Sequence, residues 1–367
     1  MITKKASLPH VLQNILLTKN EPVSLVHFVT NRCNARCSFC FIDFDNPDTF
    51  KSELSVDEID KLTKNLGSSL LNVNITGGEP FARKELEEIA ATYIKNTTIQ
   101  SMYITTNASL PDRINSFVDK IQMLDKNLEL TFQISIDDKP EQHNKVRKIK
   151  GLFDKCVDTY RILSKKNNNV SPVVSITVTH ENCDRIEEIF NYLYYECSIK
   201  SLKCTIVRDE GVYKTPDEKK KKILNAYNWL TNKIKEYSEN SKINNYNQNS
   251  LQGKMHKKKD FISWDMVKEM YLKPKYLSPC HAGGLFGIVT SKGDIYPCEI
   301  LEDKNLGNLR ENNYDFMKIW KNEKTKQTKK FIKDTNCNCT YECALSYNIL
   351  GNYRYYPKLI SSMFNLS

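Results

Sequence analysis

The sequence predicts an α/β protein whose first 210 residues form a parallel sheet, open or curled into a partial (β/α)6 barrel. Three observations support this prediction. Short β-rich runs alternate with amphipathic helical stretches, the connections between them are short, and six such strand–helix repeats follow one another. A chain of 367 residues that is 40% hydrophobic can also bury a large core and carry an appended segment.

The candidate strands are runs rich in apolar and β-branched residues. They lie at 24–29, 72–76, 101–105, 130–136, 172–179 and 202–207. After the first strand, SVDEIDKLTKNL predicts a helix with Ser55 as its N-cap and Glu58 completing a capping box. Because ligands gather at the carboxyl ends of the strands in such sheets, residues that directly follow the strands are candidates for a functional site.

Four segments are predicted along the chain. They are an N-terminal segment (1–23), the strand–helix core (24–210), a helix followed by a linker (211–275) and a cysteine-rich segment (276–367). The helix, at 216–239, has an apolar face typical of core packing, formed by Ile223, Leu224, Tyr227, Leu230, Ile234 and Tyr237. The Asn- and Lys-rich stretch 240–260 is predicted to be a mobile linker or surface loop.

The charge and hydropathy of the chain exclude some classes of partner. The formal net charge is +10, but the lysines lie mostly in surface-like runs such as DEKKKK that lack interleaved aromatic side chains. We therefore do not expect nucleic acid as a partner. No stretch approaches eighteen apolar residues, so no membrane span is expected.

Cellular location follows from the N-terminus and bears on the twelve cysteines. The first twenty residues are too polar for a secretion signal, which predicts a cytoplasmic location. Thiols stay reduced in that compartment. The cysteines therefore indicate metal or redox chemistry rather than a disulfide framework.

Three cysteines, Cys33, Cys37 and Cys40, lie in the loop TNRCNARCSFCF directly after the first strand. Polar neighbours make this a poor pattern for packing cysteines. A structural zinc site normally needs four ligands, which the loop lacks unless His27 or a distant residue completes the set. An iron–sulfur cluster held by three thiolates would leave one iron open to bind a small molecule. The spacing favours the iron–sulfur alternative.

The CX3CX2C spacing, with Phe39 directly before the last cysteine, resembles the motif of the radical S-adenosylmethionine (SAM) enzymes. The resemblance implies a TIM-like partial barrel and a [4Fe-4S] cluster whose open iron chelates the amino and carboxylate groups of SAM. It also implies that SAM is cleaved to a 5′-deoxyadenosyl radical, which abstracts hydrogen from a substrate. An external one-electron reductant such as flavodoxin or ferredoxin would then be a partner.

Segments after the second and third strands strengthen this resemblance. TGGEP resembles the family's GGE segment, which contacts the SAM amino group. Two glycines, Gly77 and Gly78, permit close approach of the backbone to a ligand, and Glu79 offers a carboxylate to an ammonium group. After the third strand, TTN ends in Asn107, at a position that lines the cofactor pocket in related enzymes.

The end of the fourth strand also resembles a family element. SID contains Ser135 and Asp137 and is similar to the ribose-contacting element of the SPASM-bearing branch. The following HNKVR resembles its H-x-x-x-R continuation, which implies that Arg147 pairs with the SAM carboxylate through a forked contact. Asp138 stands where the family often has glycine, so the shape of this turn is not expected to be identical.

Five further cysteines lie in the C-terminal segment. Cys280 and Cys298 fit the spacing CX12GX4C with Gly293 as the glycine, and the KGD turn predicts a hairpin that brings both thiols to one end. The stretch CNCTYEC supplies the others, Cys337, Cys339 and Cys343. This arrangement resembles the SPASM/Twitch extensions of radical SAM enzymes, which bind auxiliary iron–sulfur clusters, although the second half departs from the full SPASM spacing.

The number of thiols limits the number of auxiliary clusters. Two four-iron clusters would need eight thiolates, so five cysteines predict one auxiliary [4Fe-4S] cluster. The resemblance implies Cys280, Cys298 and Cys343 as ligands, with Cys337 or Cys339 as the fourth. A zinc ribbon-like site is the alternative for this segment.

One C-terminal thiol would then be surplus, either structural or a hydrogen-atom donor to a substrate radical. Cys339 is the candidate for this catalytic role, and Cys204 on the sixth strand is a second candidate if it faces the barrel interior. The remaining cysteines, Cys156, Cys183 and Cys197, lie in apolar surroundings typical of packing.

The resemblance leaves the net reaction open between oxidation, bond formation and epimerisation. The short segment before the first strand is smaller than the leader-binding domain of many peptide maturases. This favours a small polar metabolite or carbohydrate as substrate, or a peptide delivered by another protein. The alternative class is a non-enzymatic iron–sulfur or zinc protein in electron transfer or regulation. A zinc hydrolase would need a His-rich constellation that this chain lacks.

Overall fold

The structure is a computed structural model that describes residues 6–209, 211–246 and 250–363. The strands in these residues are β1 Ser24–Thr30, β2 Asn72–Gly77, β3 Ser101–Thr106, β4 Glu129–Ser135, β5 Val170–Val178, β6 Leu202–Ile206, β7 Phe286–Val289, β8 Asp294–Tyr296 and β9 Gly307–Asn308. They form one mixed sheet in the order β6–β5–β4–β3–β2–β1–β7–β8–β9.

The α-helices of the described residues are α1 Leu8–Gln13, α2 Val56–Thr63, α3 Leu86–Asn96, α4 Pro111–Leu124, α5 Pro140–Arg147, α6 Leu152–Ser164, α7 Ile186–Asn191, α8 Asp217–Glu239, α9 Leu251–Met270, α10 Phe316–Trp320, α11 Glu323–Asp334, α12 Glu342–Leu350 and α13 Tyr356–Met363. None of these helices combines the length and the apolar content that crossing a bilayer requires.

The six strands predicted from the sequence are present, and each pairs in parallel with its neighbour in chain order. Helices α2 to α7 lie between them along the chain. The sheet does not close on itself, because β6 is at one edge. The predicted α/β fold with a parallel strand–helix core, a partial rather than a closed barrel, is confirmed.

Alternate residues of the strands have different surroundings. On β3, Met102 and Ile104 are fully buried in the main hydrophobic core, whereas Tyr103 and Thr105 line a cavity. Strand β4 repeats this with Phe132 in the core and Gln133 in the cavity. Strands of a parallel sheet usually bury apolar side chains on both faces. The polar face of this sheet therefore surrounds an interior space rather than a second core.

The cysteine-rich segment extends the same sheet. Strand β7 pairs in parallel with β1, with Ser24 opposite Phe286 and His27 opposite Val289, and β8 then pairs antiparallel with β7. The turn between β7 and β8 contains Gly293 with φ +89°, a left-handed conformation that favours glycine. The predicted hairpin is present, and backbone hydrogen bonds attach it directly to the first strand of the core.

The linker prediction for 240–260 is wrong over its second half. Helix α9 begins at Leu251, and the hydroxyl of Ser250 caps it by accepting a hydrogen bond from the Gly253 amide at 2.9 Å. The composition misled the prediction, because one polar face of α9 lines an interior cavity and needs no apolar side chains. Before the helix, Ile243 and Tyr246 are buried. Residues 247–249 lie outside the described residues.

The predicted capping box at the start of α2 is present and also contacts the C-terminal segment. The Ser55 hydroxyl accepts from the Glu58 amide at 3.2 Å, and Glu58 Oε2 accepts from the Ser55 amide at 2.7 Å. Arg310 donates to both carboxylate oxygens of Glu58, at 2.6 and 3.0 Å, and the Tyr314 hydroxyl donates at 2.9 Å. Hydrogen bonding to Arg310 lowers the pKa of Glu58 to about 2.

Replacing Glu58 with Gln should lower the free energy of unfolding of the metal-free protein by about 1 kcal/mol at pH 7, as for a forked but partly exposed ion pair. The carboxylate stabilises the folded state above its ordinary pKa, and this contribution is lost as pH falls toward 2. The difference between the two proteins should therefore shrink on acidification, as measured by urea unfolding at several pH values. Asp57→Asn, at an exposed neighbour, is the control, and a difference independent of pH would contradict this assignment.

Candidate active site

The three cysteines of the first loop share one wall of a cavity of about 320 Å³ at the carboxyl ends of the barrel strands. Most of the residues proposed from the sequence to bind SAM line the same cavity, namely Phe39, Gly77, Gly78, Asn107, Ser135 and Arg147. These residues come from the ends of β1, β2, β3 and β4 and from α5. The structure thus brings together nine residues that are distant in sequence.

Two glycines after β2 position the cysteine loop through its backbone. The Gly78 amide donates to the Thr30 carbonyl at 2.8 Å, and the Glu79 amide donates to the Arg32 carbonyl at 2.8 Å. A Cβ atom at Gly77 would lie 2.1 Å from the Thr30 carbonyl oxygen, and one at Gly78 would lie 2.3 Å from that of Arg32. The close approach that these glycines permit is therefore to the cysteine loop itself.

The protein environment disfavours three thiolates in the absence of metal. Burial raises the pKa of Cys33 to about 11, and the charges of Glu79, Cys37 and Cys40 add to the increase. Burial also raises the pKa of Cys37 and Cys40. A positively charged metal centre would reverse this balance, because thiolates are the ligands of iron–sulfur clusters. The donor set fits a cluster bound at this wall.

The arrangement of the thiols bears on which metal centre fits. Among residues 6–209, 211–246 and 250–363, no three His, Cys, Asp or Glu side chains converge on the position of a single metal ion. A four-iron cluster has no such requirement, since it offers each thiolate a separate iron. Three thiols spread along one cavity wall are consistent with that geometry.

Glu79 is not part of the cavity lining. Its side chain is buried, and its carboxylate accepts hydrogen bonds from the Phe81 amide at 3.0 Å, the Thr106 hydroxyl at 2.8 Å and the Asn107 amide at 2.7 Å. Burial raises the pKa of Glu79, and the three hydrogen-bond donors partly oppose this increase. This carboxylate holds the end of β3 beside the cysteine loop, and its expected contact with the SAM ammonium group stays a prediction.

Asn107 connects the end of β3 to that loop. Its amide nitrogen Nδ2 donates to Asn34 Oδ1 at 2.8 Å and lies 3.8 Å from the sulfur of Cys33. The neighbouring Ala35 backbone amide also donates to Cys33 Sγ, at 3.3 Å. Hydrogen bonds to a ligating sulfur stabilise negative charge on it and tune the metal centre.

Arg147 and Asp137 form a buried ion pair at the cavity wall. The Arg147 guanidinium donates from Nε and Nη2 to Asp137 Oδ2 at 2.8 and 2.6 Å, and Asp137 Oδ1 accepts from the Thr177 amide. Arg147 lines the cavity, with its guanidinium carbon 5.7 Å from the centre of the Phe39 ring, whereas Asp137 does not. Asp137 therefore orients the arginine, and its proposed contact with the SAM ribose stays a prediction.

Four C-terminal cysteines lie together. Cys298 is buried in a small apolar cluster against which Cys280, Cys337 and Cys339 pack. The thiol of Cys280 is hydrogen-bonded to that of Cys337, which lowers the pKa of Cys337 to about 7. Burial raises the pKa of Cys298 to about 12, with the charge of Cys339 contributing. These four thiols match the number of ligands of one four-iron cluster.

Cys343 is not among these four, and its expected role as a ligand of the auxiliary cluster stays a prediction. It lies on α12, whereas Cys337 and Cys339 lie in the preceding loop. Its side chain lines the same cavity as the first three cysteines, with the charged groups of Glu299, Arg208 and Glu342 nearby. Cys339, the candidate hydrogen-atom donor, is not among the residues that line this cavity.

A second cavity, of about 710 Å³, occupies the barrel below the first one. Cys204 lines it, as expected if its side chain faces the interior. Three of the charged residues that line it, Lys203, Lys259 and Asp260, were not predicted from the sequence. Both lysines form ion pairs with Asp260, at 2.7 and 3.3 Å. The spacing of polar residues along α9, from Gln252 through Asp260 to Ser263, could have predicted that one face of this helix lines a polar cavity.

Comparison with known protein families agrees with this arrangement. The radical SAM superfamily model matches residues 28–193, which contain the first three cysteines. The model of an iron–sulfur cluster-binding domain, SPASM, matches residues 280–344 and thus contains the five C-terminal cysteines.

Curated relatives match less than half of this chain. The sporulation killing factor maturation protein SkfB of Bacillus subtilis is 27% identical over 176 residues, which are 46% of this chain and 38% of that protein. The GTP 3′,8-cyclase of Clostridium perfringens (strain SM101) is 28% identical over 171 residues, or 45% of this chain and 50% of that protein. The chain thus spans half or less of the length of these relatives.

Solved structures with the same fold extend over most of the chain. The structure of anSMEcpe with bound AdoMet superposes with a TM-score of 0.59 at 18% identity, covering 94% of this chain and 96% of that one. SuiB of Streptococcus suis bound to S-adenosylmethionine superposes with a TM-score of 0.56 at 16% identity, covering 93% and 72%. At these identities the likeness shows the fold.

Replacing Glu79 with Ala should destabilise even the metal-free protein, because three buried donors lose their acceptor. We expect a loss of about 3 kcal/mol or more in the free energy of unfolding, measured by chemical denaturation without iron or SAM. Glu88→Ala, at an exposed position on the following helix, should change it by less than about 0.5 kcal/mol. Equal stability of the Glu79→Ala variant and the parent protein would show that the three hydrogen bonds do not position the strand end.

Proposed function

Because this chain belongs to the radical SAM superfamily and carries a C-terminal SPASM segment, we propose that it cleaves SAM reductively and abstracts hydrogen from a substrate C–H bond. The observation that carries this proposal is the position of Cys33, Cys37 and Cys40 on one wall of a cavity at the carboxyl ends of the strands. The same cavity contains the backbone of Gly77 and Gly78 and the side chains expected to contact SAM.

Each group of residues has a proposed task. The first three cysteines hold a [4Fe-4S] cluster, and Cys280, Cys298 and Cys343, with Cys337 or Cys339 as the fourth ligand, hold an auxiliary one. The first cluster and SAM, when bound, supply a 5′-deoxyadenosyl radical. Arg147, held by its ion pair with Asp137, presents its positive charge to the SAM carboxylate. The Phe39 ring lies beside the Arg147 guanidinium. Asn107 and Ser135 add polar contacts from the ends of their strands.

We propose that the substrate is a peptide. SkfB is named as a maturation protein of the sporulation killing factor, anSMEcpe has been solved with the Cp18Cys peptide, and SuiB with the precursor peptide SuiA. From the sequence we expected a small polar metabolite or carbohydrate, or a peptide delivered by another protein, and these names favour the peptide. The two interior cavities offer room for an extended segment. A one-electron donor such as flavodoxin or ferredoxin is the proposed redox partner.

Reconstituted protein given SAM and a strong one-electron reductant without oxygen should release 5′-deoxyadenosine, detected by liquid chromatography and mass spectrometry. Cys37→Ala should reduce the product to the level of a no-enzyme control, because the first cluster loses a ligand. Cys183→Ala, at a buried cysteine outside both cavities, should retain the activity of the parent protein. Clusters that are intact without any 5′-deoxyadenosine would instead support the electron-transfer alternative.

A further inference from the structure

The second cavity contains a group of charged side chains that is separate from the residues expected to bind SAM. Lys203 on β6 and Lys259 and Asp260 on α9 line this cavity and not the one that contains the first three cysteines. Lys203 Nζ donates to Asp260 Oδ2 at 2.7 Å, and Lys259 Nζ lies 3.3 Å from Asp260 Oδ1. These three residues form an ion-pair triad in which two cations share one carboxylate inside the barrel.

Helix α9 turns a polar face toward this cavity. His256, Lys259 and Asp260 line it. Residues three or four positions apart lie on one face of a helix, so the spacing places these side chains next to one another. Buried apolar residues of the same helix, Phe261 and Val267, belong to the main hydrophobic core. The charges of α9 therefore face the interior because the helix is packed through its apolar residues.

The members of the triad are charged at neutral pH. Burial disfavours the charged form of Lys203, but the charge of Asp260 outweighs this effect and raises the pKa of the lysine. Burial likewise opposes the ionisation of Asp260, but the charges of the two lysines outweigh it and lower the pKa of this carboxyl group. Burial lowers the pKa of His256 to about 4, with the charge of Lys259 contributing. The triad thus has a net positive charge and a neutral imidazole beside it.

The lysines of the triad have more hydrogen-bond donors than the protein uses. Asp260 is already well occupied, because its Oδ2 also accepts from the Tyr246 hydroxyl at 2.9 Å. An ammonium group has three N–H donors. Within the described residues, Lys203 donates to Asp260, and Lys259 donates to Ser346 Oγ at 3.2 Å besides its contact with Asp260. The side chains of Lys203 and Lys259 remain 26% and 17% exposed, against 12% for Asp260. The cavity therefore meets mainly the cations.

The triad lies next to the opening between the two cavities. Lys203 is opposite Ser175 and two residues before Thr205, and both of these residues line both cavities. Two residues along a strand span about 7 Å, which is also about the length of two residues of an extended peptide. A group bound at the triad would thus lie about two residues from a part of the same peptide that enters the cavity of the first three cysteines.

Other acidic side chains of this cavity do not neutralise the triad. Asp125 and Glu129 line its other end, where the strands begin. Glu342 lines both cavities, and its carboxylate accepts a hydrogen bond from the Tyr227 hydroxyl at 3.3 Å. In the part of the chain that the structure describes, Asp260 is the one acid that forms ion pairs with these two lysines. A buried excess of positive charge is costly unless an anion compensates it.

We propose that the ion-pair triad is a carboxylate-binding subsite, which selects peptide substrates by an acidic group about two residues from the residue that reacts. This assignment rests on the proposed function and names a feature of its substrate. The bound carboxylate accepts charge-assisted hydrogen bonds from Lys203 and Lys259, and His256 offers a neutral third partner. Aspartate and glutamate side chains and the end of a peptide chain supply the same carboxylate chemistry.

The test measures peptide binding to the reconstituted protein with SAM but without reductant, so that it needs no turnover. The probe is a library of random pentapeptides with acetylated amino ends, half of them amidated and half free at the carboxyl end. Bound peptides are identified by mass spectrometry. Peptides with a carboxylate should be enriched about tenfold or more over their amide counterparts, as for hydrogen bonds to charged groups. Enrichment of acidic side chains or of free carboxyl ends identifies the source of the carboxylate.

Two variants of the triad should change this enrichment in opposite directions. Lys259→Gln should lower it by about threefold or more, because one charged donor is lost. Asp260→Asn should raise it, because the carboxylate that competes for the lysines is removed. Lys258→Gln, at the neighbouring lysine that does not line the cavity, should keep the parent value. Damage to the fold would instead lower binding in both variants of the triad, and circular dichroism and iron content check that each variant is intact.

Equal enrichment of acid and amide peptides by the parent protein, including no binding of either, would overturn the assignment. Lower enrichment by intact Asp260→Asn would overturn it as well. Formation of 5′-deoxyadenosine is measured separately on the parent protein. Its formation without any preference for acidic peptides would leave the proposed function standing. Its absence would overturn the proposed function and, with it, the role of the triad in substrate selection.

Discussion

The contact between the end of β2 and the cysteine loop is the constraint on which the rest of the site depends. The amides of Gly78 and Glu79 bind the carbonyls of Thr30 and Arg32, and there is no room for a side chain at either glycine. The Glu79 carboxylate then binds the end of β3. Three strand ends are thus fixed beside one another, so that cysteines from one loop face groups from several strands.

Placing polar side chains inside the barrel costs free energy, and the use of this interior as a binding site accounts for that cost. One face of the sheet packs apolar side chains under the helices, and the other presents asparagine, glutamine, serine, threonine and tyrosine to the interior. Buried polar groups are unfavourable unless they are hydrogen-bonded. A bound cofactor and a polar substrate would supply those partners. The C-terminal helices α9 and α12 add charged groups to the same interior.

The parallel core was predicted correctly because periodicity is a local signal, and the strand-end motifs named candidate residues that line one cavity in the structure. The sequence could not predict that Glu79 and Asp137 form hydrogen bonds within the protein, because those hydrogen bonds depend on how neighbouring strands are placed. Spacing alone also could not show that Cys343 faces the cavity, because this depends on α12 beginning at Glu342. Helix α9 was not predicted because its polar face points into the barrel. A helix is recognised from hydropathy when the face that it buries is apolar.

The central claim is that the first three thiols leave one iron free to bind SAM. It is tested most directly by electron paramagnetic resonance of the reduced Cys280→Ala protein, which keeps the first cluster, before and after addition of SAM labelled with ¹⁵N at its amino group. The account predicts a changed spectrum with hyperfine coupling to ¹⁵N. An unchanged spectrum without that coupling, or zinc in place of iron at Cys33, Cys37 and Cys40, would contradict it.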